Sequence, residues 1–154
     1  MEIEKKFLVK NMPLQLEQFS KKEIEQGYLC VDPVVRIRRS NDRYILTYKS
    51  NMGLEDRQDT ETRINQEIEA ALTCEGYEHL REKADGHLIC KTRYVIPLPD
   101  GHTGELDVFH GCLEGLTLIE VEFEDEDDAG AFQAPDWFGT NVSNDKRYTN
   151  SFLS

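Results

Sequence analysis

Six segments of the sequence carry pairs of like-charged residues spaced two positions apart. The pairs are Glu2 and Glu4, Arg36 and Arg38, Glu67 and Glu69, Lys91 and Arg93, Glu105 and Asp107, and Glu120 and Glu122. In a β-strand, residues two apart point to the same side, so each pair would concentrate one charge sign on one face. Arginine and lysine bind phosphoryl oxygens, and carboxylates hold Mg²⁺, which bridges to phosphates. These residue types could therefore bind a small polyanion together with divalent cations.

We expect the charged faces to line one closed cavity and the apolar faces to pack outward against helices. Buried charges must pair with each other or with a ligand, and the mixture of signs makes such pairing feasible. The basic lining would consist of Lys6, Arg36, Arg38, Lys49, Lys91 and Arg93. The acidic lining, which supplies the candidate metal ligands, would consist of Glu2, Glu4, Glu67, Glu69, Glu105, Asp107, Glu120 and Glu122. The alternative is an open sheet with one face in water and ion-pair ladders across its strands.

Alternation of apolar and polar residues with a period of two predicts the strands that must position these pairs. The predicted strands are 2–9, 34–40, 43–50, 65–71, 87–97, 104–110 and 117–124. Helical patterning is found instead from Pro13 to about Gln26, where Gly27 would end the helix, from Thr73 to about Ala84, and over 126–133. The sequence therefore predicts one β-dominated α+β domain over residues 1–154, an antiparallel barrel or sheet with peripheral helices.

Composition limits the partners of such a domain. The 154 residues include 18 Lys and Arg against 30 Asp and Glu, a formal net charge of −12, which disfavours nucleic acid and anionic membranes. The sequence has no apolar run of about 20 residues and no apolar targeting segment at its start. Its four cysteines form no C-x-x-C pair, so we expect reduced thiols in a cytoplasmic protein.

The order of the charged segments resembles the CYTH superfamily, the triphosphate tunnel metalloenzymes. Glu2-Ile3-Glu4-Lys5-Lys6 matches the E-x-E-x-K signature of that superfamily, and the tail Asp145-Lys146-Arg147-Tyr148 resembles the basic C-terminal element of its small bacterial members. The remaining charged segments follow in the family's order along nearly the whole chain. The resemblance implies a closed eight-stranded antiparallel β-barrel with a charged interior, a linear triphosphate substrate, and Mg²⁺ or Mn²⁺ as cofactor.

The resemblance also assigns roles to residues. Metal would be held by Glu2, Glu4, Glu120 and Glu122, and the triphosphate would be held by Lys6, Arg36, Arg38, Lys91, Arg93 and Arg147. The Gln26-Gly27-Tyr28-Leu29 segment implies that Tyr28 and Lys49 form a catalytic dyad, in which the nearby ammonium would lower the pKa of the phenol. Relatives often carry a basic residue where this chain has Asn65, and Arg63 has the parity to substitute for it.

The function that we expect is hydrolysis of inorganic tripolyphosphate to diphosphate and phosphate. Alternatives within the superfamily are a nucleoside or thiamine triphosphatase and a class IV-type adenylyl cyclase. An alternative of another class is a non-catalytic module that binds polyphosphate or nucleotide. The sequence leaves the substrate, the preferred metal and the choice between monomer and homodimer open.

Overall fold

A computed structural model describes residues 2–50 and 63–153 of the chain, with the backbone alone described at 63–65, 150 and 151. The described elements are nine strands, three α-helices and three short 3-10 turns. The strands are β1 (Glu2–Val9), β2 (Ser20–Val31), β3 (Val34–Ser40), β4 (Arg43–Ser50), β5 (Arg63–Ala71), β6 (Asp85–Pro97), β7 (Thr103–Phe109), β8 (Thr117–Phe123) and β9 (Phe138–Asn141). The helices are α1 (Cys74–Arg81), α2 (Glu126–Ala131) and α3 (Asn150–Leu153), and the 3-10 turns are Leu16–Gln18, Gly111–Leu113 and Lys146–Tyr148.

All nine strands belong to one antiparallel sheet. Their order is β5-β4-β3-β2-β6-β7-β8-β1-β9. In addition, β5 pairs with β1, with Glu2 opposite Asn65 and Glu4 opposite Arg63. The β-dominated class is therefore confirmed with nine strands in place of eight, while closure into a barrel stays a prediction.

The predicted helix over 13–26 is wrong. Only the 3-10 turn at Leu16–Gln18 lies there, and β2 begins at Ser20. Ile24, Gln26 and Tyr28 are all buried on this strand, and their period of two is the stronger pattern. Pairing of β2 with both β3 and β6 overrides the weak helical spacing of Leu16, Phe19 and Ile24. The short strand β9 was also not predicted, whereas α1 and α2 lie where helical patterning placed them.

Gly27 does not end a helix but allows a close approach inside β2. A Cβ atom at this position would lie 2.8 Å from Leu88 Cδ2 and 3.0 Å from the Cβ of Ala84. Contacts this short do not occur without movement of a neighbour, so the missing side chain lets the connection after α1 pack directly on β2.

The main apolar core lies on the face opposite the charged pairs. It is formed by Ile3, Phe7, Ile96, Leu98, Leu106, Ile119, Val121, Phe123, Ala129 and Phe138, with Phe132 and Trp137 packed against it. Ile3 and Phe7 alternate with Glu2, Glu4 and Lys6 along β1. The predicted separation of charged and apolar faces is confirmed, with α2 and β9 on the apolar side.

A second apolar cluster, here called the end cluster, continues the charged face at one end. It contains Tyr28, Ile89, Phe109, Leu118 and Val142, with Leu8, Val34, Tyr148 and Leu153 packed against them. Leu8, Leu118, Phe109 and Ile89 each stand two positions from a charged residue of the same strand. The charged face therefore ends in an apolar layer to which the C-terminal segment contributes.

The four cysteines are free, as expected from their spacing. None of the helices in the described ranges is long and apolar enough to cross a membrane.

Candidate functional site

The strand register gathers most of the basic residues on one part of the charged face and most of the acidic residues on another, with Asp107 among the bases and Lys6 and Lys49 among the acids. Arg36 and Arg38 on β3 lie near Lys91 and Arg93 on β6, with β2 between these strands. On the other part, Glu4 of β1 stands opposite Glu122 of β8, and Glu105 of β7 stands opposite Glu120. Alternation within each strand sets the face, and the register sets which charges meet.

Lys91 and Arg93 share one buried counter-ion, Asp107. Lys91 Nζ lies 2.7 Å from Asp107 Oδ2, and the side chains are 0% and 2% exposed. Arg93 donates from Nε and Nη2 to the two carboxylate oxygens at 2.8 and 3.0 Å. Burial would raise the pKa of Asp107, but attraction by Arg93 and Lys91 lowers it to about 2. Burial lowers the pKa of Lys91 to about 7 despite this partner. Asp107 therefore stabilises two substrate-binding candidates, and its role as a metal ligand stays a prediction.

Glu4 and Glu120 form a buried carboxyl pair. Burial raises the pKa of Glu4 well above its ordinary value, and the charges of Glu120 and Glu2 add to the effect. Burial would also raise the pKa of Glu120, but Lys6 and Arg93 hold it well below its ordinary value. The opposite shifts mean that a proton is favoured on Glu4 and disfavoured on Glu120.

Lys6 and Lys49 are the cations nearest to these acids. Lys6 Nζ lies 3.4 Å from Glu120 Oε1 and donates to the Tyr148 carbonyl at 3.1 Å. Lys49 Nζ lies 2.7 Å from Glu2 Oε1 and 3.4 Å from Glu67 Oε2. Burial opposes the charge of Lys49, but attraction by Glu4 and Glu2 raises its pKa.

The acids differ in how well they suit a cation. In the described part of the chain, no three His, Cys, Asp or Glu side chains converge closely enough to hold a metal ion. The Glu4–Glu120 pair nevertheless suits a divalent cation, because a cation would relieve the repulsion of Glu120 and Glu2 on Glu4. Burial and nearby acids also raise the pKa values of Glu2 and Glu122. Glu105 is 3.4 Å from Arg93, and Glu69 and Glu122 are exposed.

The basic part of the face contains a buried hydrogen-bond donor without a partner among the described residues. Arg36 Nε is buried and has no hydrogen-bond partner among the described residues. Arg38 Nε donates to Gln26 Oε1 at 3.0 Å. Burial lowers the pKa of Arg38 to about 9, and the charges of Arg36 and Arg93 contribute. These cations repel one another, so an anion placed between them would be stabilised.

Two predicted site residues have neighbours other than the groups that they were expected to join. Tyr28 is buried in the end cluster, and strand β3 separates it from Lys49 on β4. The Arg147 side chain is 73% exposed and lies 2.7 Å from Asp145 Oδ2. The catalytic dyad of Tyr28 and Lys49 and the binding of triphosphate by Arg147 stay predictions. The side chains of Arg63 and Asn65, which bear on the departure from the family pattern, lie outside the described residues.

Sequence reasoning missed two groups at the site. Gln26 is fully buried beside Arg38, and its signal was the polar residue at a core position of β2. Ser143 Oγ accepts from the backbone N–H of Lys6 at 2.9 Å. Ser143 gave no comparable signal, because nothing local in its segment indicates contact with β1.

The fold and the site together define the class: an antiparallel β protein whose sheet carries both basic and acidic groups on one face. No family model matches the chain. Two curated relatives are inorganic triphosphatases. One, from Nitrosomonas europaea, is 41% identical over 99% of this chain and 96% of its own length. The other, from Acetivibrio thermocellus, is 37% identical over 99% and 92%.

A solved structure agrees with these relatives. The crystal structure of the inorganic triphosphatase NE1496 is 40% identical and superposes with a TM-score of 0.70, covering 99% of this chain and 93% of that one. The chain belongs to the inorganic triphosphatase family.

Proposed function

We propose that this protein hydrolyses inorganic triphosphate to diphosphate and phosphate, with Mg²⁺ or Mn²⁺ as cofactor. The observation that carries the proposal is that Arg36, Arg38, Lys91 and Arg93 share one face of the sheet with the Glu4–Glu120 carboxyl pair, on which Arg93 and Lys91 act directly. A linear triphosphate with divalent cations satisfies both groups at once, because its oxygens suit the bases and the cations suit the acids.

We further infer that the sheet closes into the triphosphate tunnel of the CYTH superfamily. The pairing of β5 with β1 supports closure, since it joins the two strands that would otherwise stand at opposite ends of an eight-stranded order. Contact between Lys49 on β4 and Glu2 on β1 also supports it, because these side chains meet across β5.

In the proposed reaction, water attacks the terminal phosphorus, the P–O bond to the bridging oxygen breaks, and diphosphate leaves. Such a transfer depends on positioning and charge stabilisation more than on covalent chemistry. Arg36, Arg38 and Arg93 bind phosphoryl oxygens and hold the chain of phosphates in line. Lys91 and Lys6 neutralise charge that develops on the transferred group and on the leaving diphosphate.

Glu2, Glu4, Glu120 and Glu122 would hold a divalent cation, which would supply Lewis-acid stabilisation of phosphoryl charge and would lower the pKa of a bound water. Lys49 stays protonated at neutral pH, because Glu4 and Glu2 raise its pKa despite burial. In this proposal it acts as a cation that binds the substrate, and the proton released from the attacking water passes to solvent; contact of Lys49 with Tyr28 stays a prediction.

The test is release of phosphate from tripolyphosphate, ATP and thiamine triphosphate, each with Mg²⁺ and with Mn²⁺. Tripolyphosphate should be turned over fastest. Arg36→Gln should reduce kcat/KM by about a hundredfold or more, because it removes a charge-assisted contact from a buried site. Arg43→Gln, the same change at the exposed end of β4, is the matched control and should leave turnover unchanged. Binding of tripolyphosphate without turnover under every condition would overturn the proposal and favour a binding module.

A further inference from the structure

Gln26 is a neutral residue in the middle of the basic part of the charged face. It is fully buried on β2, with Arg38 opposite on β3 and Ile89 opposite on β6. A buried primary amide has two acceptor sites and two N–H donors, and each one left without a partner costs free energy. Its hydrogen bonds therefore need to be accounted for.

Only the oxygen end of this amide is satisfied. Arg38 Nε can donate but cannot accept, so the atom 3.0 Å from it must be the carbonyl oxygen. The amino group consequently points away from Arg38. Gln26 Nε2 is buried and has no hydrogen-bond partner in the described part of the chain. The same is true of Arg36 Nε, which lies two residues from Arg38 on β3.

We propose that Gln26 is a substrate-binding and positioning residue: its carbonyl fixes the Arg38 guanidinium, and its amino group donates to a phosphoryl oxygen held by Arg36 and Arg38. The inference rests on the proposed function, because the ligand is the triphosphate of that same site. A neutral donor suits the position, since the neighbouring cations already repel one another and a further charge would add to the repulsion.

The two roles separate in substitutions. Gln26→Glu keeps an oxygen for Arg38 Nε but places a carboxylate where the amino group stood, so it repels phosphoryl oxygens. Gln26→Met keeps the length of the side chain and removes both the acceptor and the donor without adding charge. Gln18→Glu, the same chemical change at an exposed position, is the matched control.

The experiment measures KM and kcat for tripolyphosphate, calorimetric binding of tripolyphosphate, and melting temperature for each variant. Gln26→Met should raise KM about tenfold, because a hydrogen bond to a charged ligand is lost. Gln26→Glu should raise KM further, and Gln18→Glu should match the wild type. A purely structural Gln26 would instead lower the melting temperature of both variants and leave KM within twofold, which would overturn the inference.

Failure of the proposed function is distinguishable from failure of this inference. If the wild type binds tripolyphosphate without turnover, the proposed reaction fails. Calorimetry then still decides the role of Gln26, because weaker binding by Gln26→Met supports it. Equal binding by the two proteins, both shown to be folded by circular dichroism, overturns it.

Discussion

At the scale of single residues, the site holds its acids in two different electrostatic environments. Asp107 lies between Arg93 and Lys91, which lower its pKa, whereas burial and the charges of Glu120 and Glu2 raise the pKa of Glu4. Parity in the sequence predicts that all these side chains share a face. It does not predict which base meets which acid, because that depends on a register set by distant strands. Gln26 escaped prediction for a related reason, since a single neutral amide in a strand carries no charge pattern.

Asp107→Asn should destabilise the protein strongly. The change leaves the buried Arg93 guanidinium without a carboxylate, and removal of one partner from a buried ion pair costs about 3–5 kcal/mol. Lys91 can lessen its own share by losing a proton, since its pKa is about 7. Lys91→Met should therefore cost less, because the two hydrogen bonds from Arg93 to Asp107 survive. Urea denaturation of both variants provides the comparison, and an Asp107→Asn protein as stable as Lys91→Met would contradict this account.

At the scale of elements, pairing between strands distant in sequence determined secondary structure where the local pattern was ambiguous. Seven strands were predicted from alternation alone, and α1 was predicted from its spacing and its end near Gly86. The part of β2 up to Gln26 was predicted as a helix, although this strand has neighbours on both sides and supplies Gln26 and Tyr28. The sequence of 13–26 contains both periods, and the choice between them was made by β3 and β6, which lie far away in sequence.

Gly27→Ala tests the close approach of β6 and of the connection after α1 to β2. An added methyl group would meet Leu88 and Ala84 at 2.8 and 3.0 Å, and overpacking of this kind costs about 1–3 kcal/mol. Gly130→Ala is the matched control in α2, where a Cβ meets nothing within 4 Å. That change should be neutral or stabilise the protein by up to about 1 kcal/mol, since alanine favours helix. Equal melting temperatures for the two variants would refute the packing argument.

His102 connects the turn between β6 and β7 to α2. Its ring nitrogens lie 2.8 Å from Asp100 Oδ2 and 2.9 Å from Asp128 Oδ1, and hydrogen bonds to these carboxylates raise its pKa above the ordinary 6.5. A group whose folded pKa is raised contributes stability below its unfolded pKa and loses that contribution as pH rises through the folded pKa.

His102→Asn should therefore lower the melting temperature more at about pH 6 than at about pH 9. His79→Asn, at an exposed position on α1, serves as the control and should show no such difference. A His102→Asn deficit that is the same at both pH values would show that the contact with Phe123 and Phe132, and not the charge, is what matters.

At the scale of the whole molecule, the net charge of −12 is an average over regions with different charge. Part of the acidic excess lies on the charged face beside six basic residues, where the proposed function places divalent cations together with a small polyanion. The sequence predicted this face, the class of the fold and the kind of ligand. It could not establish closure of the sheet, which depends on β5 meeting β1.

Divalent cations should stabilise the protein specifically through this face. Binding to the folded state alone raises the melting temperature with ligand concentration. We expect Mg²⁺ to raise it after removal of metal with a chelator, whereas NaCl at equal ionic strength should not. Glu4→Gln should abolish the Mg²⁺ shift. It should also raise the metal-free melting temperature, because it removes a carboxyl group that is buried close to other acids. Glu124→Gln, on the exposed surface, should behave as the wild type, and a Mg²⁺ shift that persists in Glu4→Gln would exclude Glu4 as a ligand.

The partners of β1 also determine when the site forms. This strand pairs with β8, β9 and β5, so contacts such as Glu4 with Glu122 join residues more than 100 positions apart in the chain. Closing so long a loop costs entropy before any contact compensates, and β proteins rich in such contacts fold in milliseconds to seconds. During synthesis, Glu2 and Glu4 are made first, but β8, which pairs with their strand, is made much later. The acid pair is thus assembled late, and nascent chains stalled before β8 would have no complete site.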